Sequence, residues 1–179
     1  MRKTSLLCFL TIIFQFSVKA AEDFDCGLNE KAKELALMII NHKDQKRVSL
    51  SCSPILAKVA ALKAREMAET GRVSHEGPGG SPNARLIEAG YQLDLPPGVV
   101  GTNFVESVMG GSPHAEEVLD YFSSSYVHRI HIFGEHPFYL EQTEIGVGYA
   151  KEWFSPHVDY WVVYIAKPKN QSSSVNATK

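Results

Sequence analysis

From Pro54 to about Thr70 the chain combines a helix start, a helical apolar period and a helix stop, and this segment limits the fold more than any other. Ser53 stands at the N-cap and Pro54 at the first helical position, where a missing N–H costs nothing. Gly71 lies just past the end, where a left-handed residue can close the last turn. Ile55, Leu56, Val59, Ala60, the stem of Lys63 and Met67 form the expected apolar face. An earlier helix is expected over Asn29 to Asn41, because Ala32, Leu35, Ala36, Ile39 and Ile40 recur at intervals of three and four. The string Gly-Gly-Ser-Pro occurs twice, at 79–82 and 110–113. Each Ser-Pro reads as a cap plus a first turn, the first opening a short helix that stops at Gly90, the second a helix carrying Val118, Leu119 and Phe122 inward. No Lys-Ser or Lys-Thr follows either string, so neither is read as a phosphate loop.

Later in the chain the period changes. Residues 99–109 are rich in β-branched side chains and predict a strand. Glu144 to Ala150 and Asp159 to Ala166 alternate or run apolar around a loop with Pro156, as a hairpin would. Helices first and strands interleaved late predict a mixed α+β layer structure. Trp153, Phe154, Tyr160 and Trp161 cluster around this hairpin, and most such aromatics fill a core or cover a sheet face.

The 179-residue chain opens with Arg2 and Lys3, runs apolar from Leu6 to Val18 and reaches Val18-Lys19-Ala20, a small-x-small pattern suited to signal-peptidase cleavage after residue 20. That run is shorter than the roughly 18 to 20 residues needed to span a bilayer. Residues 1–20 are therefore expected to be a signal peptide, 21–168 one domain without a transmembrane segment, and 169–179 a frayed polar tail. The destination is secreted or periplasmic. Without Arg2, Lys3 and Lys19 the 18 basic residues fall to 15 against 20 acidic, a net of −5, and with no basic run a nucleic-acid partner is not expected. In an oxidising exported environment Cys26 and Cys52 are expected to pair, stabilising the fold by about 3 kcal/mol in the chain-entropy model. The alternative is a free Cys26 thiol and a Cys52 that serves as a small buried apolar residue.

Ser74-His75, Gly90-Tyr91, Val105-Glu106-Ser107-Val108, Phe122-x-x-Ser125-x-x-His128-Arg129 and Glu144-Ile145-Gly146-Val147-Gly148 followed by Tyr160-Trp161 occur in that order. Together they resemble the bacterial SCP-like branch of the CAP superfamily, the group named for cysteine-rich secretory proteins, antigen five and pathogenesis-related proteins. The resemblance spans roughly residues 28–166. It implies a three-layer α-β-α sandwich with a concave cleft, in which His75 matches the first histidine, Glu106 the acid and His128 the second histidine. Ser125 stands where eukaryotic members carry a second glutamate. Thr102-Asn103 offers a competing alignment in which the acid is lost.

Two neutral imidazoles and a carboxylate are the ligand set of many open zinc sites, so zinc or another divalent cation is the candidate cofactor at His75, Glu106 and His128. The competing reading is a polar cleft in which the histidines merely hydrogen-bond Glu106. With Ser125 in place of an acid, no general base stands beside a metal-bound water. Arg129 could grip a ligand carboxylate or phosphate, although pairing with a neighbouring acid is its commoner use. His131, three residues past His128, is expected at the rim. Three functions follow as expectations: a module binding a lipid-like or other extracellular ligand, a metal-dependent hydrolase acting on peptide or cell-wall material, and a structural or interaction domain without activity.

Overall fold

The computed structural model describes residues 26–169, so the expected signal peptide, and the tail beyond Lys169, lie outside the described residues. In chain order the elements are α1 (Glu30–Ile40), β1 (Ser51–Cys52), α2 (Pro54–Thr70), α3 (Pro82–Glu88), β2 (Glu106–Gly110), α4 (Ala115–Ser124), α5 (Tyr126–Ile132), α6 (Pro137–Leu140), β3 (Glu144–Lys151) and β4 (Asp159–Ala166). The sheet runs β1-β3-β4-β2, with β1 parallel to β3 and the other neighbours antiparallel.

All eight residues of β4 are buried, which explains why that strand reads as an apolar run rather than an alternation. Its side chains divide by parity. Trp161, Val163 and Ile165 join a core with Leu35 and Ile39 of α1, Phe122 of α4 and Ile132 of α5. Tyr160, Val162, Tyr164 and Ala166 join a second core with Leu56, Val59 and Met67 of α2 and Leu86 of α3. Helices therefore cover both faces, and the architecture is the three-layer α-β-α sandwich expected of an α+β chain.

The layer containing α2 sits unusually close to the sheet. A Cβ on Gly146 would lie 2.1 Å from the Ala57 nitrogen, and one on Gly148 would lie 2.2 Å from the Ala60 carbonyl. The two glycines are two apart on one face of β3, and the helix positions they meet are about one turn apart, so backbone rests on backbone. At the chain's other edge the Cys26–Cys52 disulfide forms, with a Cα–Cα distance of 4.6 Å. Gly27 bridges to Val147 in parallel, continuing along β3 the line that β1 begins.

Several local expectations shift. Ile55 is 37% exposed and leaves the α2 core face, where Ala57, Ala64 and Ala68 are buried instead. The strand expected over 99–109 shrinks to β2, because the Asn103 carboxamide accepts the N–H groups of Val105 and Glu106 and holds the preceding residues in a turn. Ser81 caps α3 as expected, but α4 begins at Ala115 with His114 at the N-cap. Ser112 instead accepts the His114 N–H and donates to Glu117. Tyr160 and Trp161 are fully buried, whereas Trp153 and Phe154 are exposed. Lys169 is still tied down, donating its N–H to the Gln92 carbonyl.

His131 is not at the rim. It is 4% exposed, with Nδ1 2.8 Å from the Ser107 hydroxyl and Nε2 3.4 Å from the Ile165 carbonyl, fastening α5 to β2 and β4. Burial, then the charge of Arg47, push its pKa down to about 3. Arg47, itself lowered to about 10 by burial, donates to the carbonyls of His131, Ile132 and Tyr139 and secures the end of α5.

Two outcomes are expected. Gly148→Ala forces helix and strand backbones apart and should cost at least about 2 kcal/mol in urea unfolding. Gly101→Ala, in open space, should stay within about 0.5 kcal/mol. Because the folded pKa of His131 lies below its unfolded value near 6.5, its contribution is complete above that pH and is lost as pH falls toward about 3. His131→Asn, which keeps a partner for Ser107, should remove up to about 1.4 kcal/mol per pH unit from the slope of stability across that window.

Candidate functional site

The helix stop at Gly71, with φ 70°, turns the chain off α2 and delivers Ser74 and His75 to the start of β2. There His75 Nδ1 lies 2.8 Å from Glu106 Oε1. The His75 side chain is 40% exposed and that of Glu106 is fully buried. A carboxylate accepts only, so it takes the Nδ1–H, fixes the tautomer and leaves the Nε2 lone pair of His75 uncommitted to Glu106.

Glu106 is held on every side. Its Oε2 accepts from Arg85 Nη2 at 2.9 Å, and Tyr164 stands opposite it on the neighbouring strand β4. Arg85 also donates to the Tyr164 hydroxyl and to the carbonyls of His75 and Gly80. Burial is the largest single influence and works against the Arg85 charge, but Glu106 and Tyr164 together outweigh it and the guanidinium pKa rises. The Tyr164 phenol is raised by burial and by Glu106. Asn103 closes the arrangement: besides accepting the Glu106 N–H, its amide donates to the Glu106 carbonyl at 2.9 Å and lies 3.2 Å from His75 Nδ1. In this sequence Asn103 supports the acid rather than replacing it.

His128, on α5, is half-buried beside the rings of Tyr121 and Phe122. Its Nδ1 sits 2.8 Å from the Ser125 hydroxyl, which serves the ring instead of capping α5. Burial first, and then the charge of His75, lower its pKa. His131 feels both charges from beneath. Arg129 turns away to Glu135, at 2.9 Å, and packs over Tyr126.

The geometry thus joins His75 directly to Glu106 and joins Ser125 to His128. Arg129 thus takes the commoner use, pairing with an acid, while Arg85, which the sequence did not single out, holds the buried Glu106. One signal for it was available: a buried glutamate needs a cation with several donors, and arginine suits that better than lysine. Among the described residues, no group of three His, Cys, Asp or Glu side chains is placed to hold a metal ion together. Both Glu106 oxygens are already engaged, so the atoms left to meet a ligand are the imidazole nitrogens not tied to Glu106 or Ser125. A groove of about 650 Å³ opens beside Arg85, lined by apolar side chains including Ile55, Val59 and Leu62.

No protein-family model matches the chain, and no curated protein matches it. Solved structures do. An outer surface protein from Borrelia burgdorferi superposes with a TM-score of 0.63 at 21% identity, over 79% of this chain and 95% of that one. An extracellular protein containing an SCP domain from Bacillus anthracis superposes with a TM-score of 0.54 at 16% identity, over 76% of this chain and 39% of that longer chain. With the three-layer sandwich and its sheet order, these likenesses identify the fold of the chain as CAP/SCP-like.

Proposed function

We propose that this chain is an exported CAP/SCP-like domain, secreted or periplasmic, that binds a ligand in the hollow bounded by His75, Glu106 and His128. The observation carrying this reading is a half-exposed imidazole fixed in one tautomer by a fully buried carboxylate. In this reading Glu106 is the group behind a binding histidine, where such carboxylates orient the ring. The fold-level likeness to an extracellular SCP-domain protein and the Cys26–Cys52 disulfide support export. Among the described residues no helix is long and apolar enough to cross a membrane.

In this reading zinc or another divalent cation would be held by His75 and His128, with Glu106 supporting His75 rather than acting as a third ligand. Such an ion would supply Lewis-acid attraction for a ligand oxygen. The residues themselves contribute the rest: Arg85 holds Glu106 in place, and Ser125 orients the His128 ring. A lipid-like ligand, implied by the resemblance, would find apolar surface in the groove beside Arg85.

Calorimetric titration of the chain from residue 21 onward with Zn²⁺ tests the reading. His75→Ala and His128→Ala should each weaken binding at least about tenfold, the scale at which metal sites answer to loss of a supporting or ligating group. Arg129→Ala should leave it unchanged. Equal affinity in all three variants removes the metal and the proposed hollow together. Glu106→Gln, which strands the Arg85 guanidinium, should also cost about 3 kcal/mol in stability, measured by urea unfolding.

A further inference from the structure

The loop joining β3 to β4 presents two neighbouring aromatic side chains to solvent, Trp153 at 72% and Phe154 at 99% exposure. Exposed aromatics on a loose loop would mean little, but this loop is tightly held. Glu152 N–H donates to the Val158 carbonyl, Ser155 N–H to the Glu152 carbonyl and Val158 N–H to the Ser155 carbonyl. The Glu152 carboxylate accepts the Phe154 N–H, and the Ser155 hydroxyl bonds to the buried Tyr160 hydroxyl, which also accepts the His157 N–H. Pro156 packs against Gly71 at the end of α2. Val158 sits at φ 63°, a left-handed conformation that is costly for a β-branched residue and persists only where surroundings impose it. The fold therefore tolerates backbone strain in a loop that keeps two large apolar rings in water.

We propose that this loop is a preformed docking point for a lipid bilayer surface, with Phe154 entering the acyl boundary and Trp153 resting at headgroup level. Three features select this occupant. The two rings together offer roughly 300–500 Å² on one side, below the roughly 600 Å² per partner at which stable protein interfaces begin, whereas interfacial insertion needs only a few aromatic side chains. Lys151 lies over the Trp153 ring, 3.8 Å from its centroid, so one ring face is closed to stacking by a sugar while the ammonium stands where headgroup phosphates would be. The adjoining shallow groove, lined by Leu28, Arg65 and Lys151 among others, adds an exposed apolar side chain and a second cation on the same side. Its acids, Glu69 and Glu152, keep the net charge of the patch small, so insertion rather than attraction to anionic lipid dominates.

The test is co-sedimentation of the chain from residue 21 onward with vesicles of phosphatidylcholine, and with vesicles that also contain phosphatidylglycerol. Trp161 is fully buried, so a change in tryptophan emission on binding reports Trp153. Binding to both vesicle types is expected, with a blue shift and quenching by lipids brominated near the top of the acyl chain. Trp153→Ala/Phe154→Ala should lower partitioning at least tenfold while circular dichroism and the unfolding midpoint stay unchanged. Phe154→Leu should retain most of it. Absence of sedimentation with either vesicle overturns the proposal. So does binding that requires phosphatidylglycerol and survives the double substitution, or self-association or polysaccharide binding abolished by that substitution without vesicle binding.

Discussion

The contact on which the rest of the molecule depends is the seating of α2 directly on the backbone of β3. Gly146 and Gly148 remove the side chains that would hold the layers apart, and Leu56, Ala57, Ala60 and Ala61 fill the space. This fixes where α2 ends, and hence where the loop carrying His75 begins. It also places Gly71 against Pro156, so one end of the helix positions both the imidazole at the start of β2 and the base of the aromatic loop. Two surfaces with different chemistry are thus set by a single interlayer distance.

Around that frame, electrostatics decide which groups can be charged. Burying Glu106 would be prohibitive without Arg85, whose guanidinium spans the carboxylate, a tyrosine hydroxyl and two backbone carbonyls. The opposite solution is used for His131, where burial and Arg47 keep the ring neutral. His128 lies between these extremes, half-buried and biased toward neutrality. A graded set of imidazoles results, one exposed and held by a carboxylate, one intermediate and one sealed.

The fold was legible in the sequence where a strong local signal coincided with a packing demand. The Pro54 start and Gly71 stop of α2, the Ser81 cap of α3 and the two strands of the hairpin all stand where the pattern puts them. Residues 99–105 misled because β-branched composition carries no information about Asn103, whose side chain competes with strand pairing for the backbone. At the site, the hydrogen bond between His75 and Glu106 is the one the polar-cleft reading expected of that pair, but both the role of Arg85 and the burial of His131 depend on contacts between α3, β2 and α5. Residue types do not encode such contacts locally. The divided fate of the four hairpin aromatics is similar: Tyr160 and Trp161 lie on a strand covered on both faces, while Trp153 and Phe154 fall in the turn between strands.

The central position of β4 has a consequence for assembly. Among the described residues it is the last strand in chain order, yet it stands between β3 and β2, which meet only through it. A growing polypeptide that has emerged only as far as residue 158 holds β2 and β3 without the strand that joins them, and two cores that each lack the side chains β4 supplies. Such a species exposes unpaired edges and apolar helix faces until the final stretch arrives, when both halves close at once. Acquisition of the native state is therefore a late, concerted event, and the interval before it is when this chain is most exposed to aggregation.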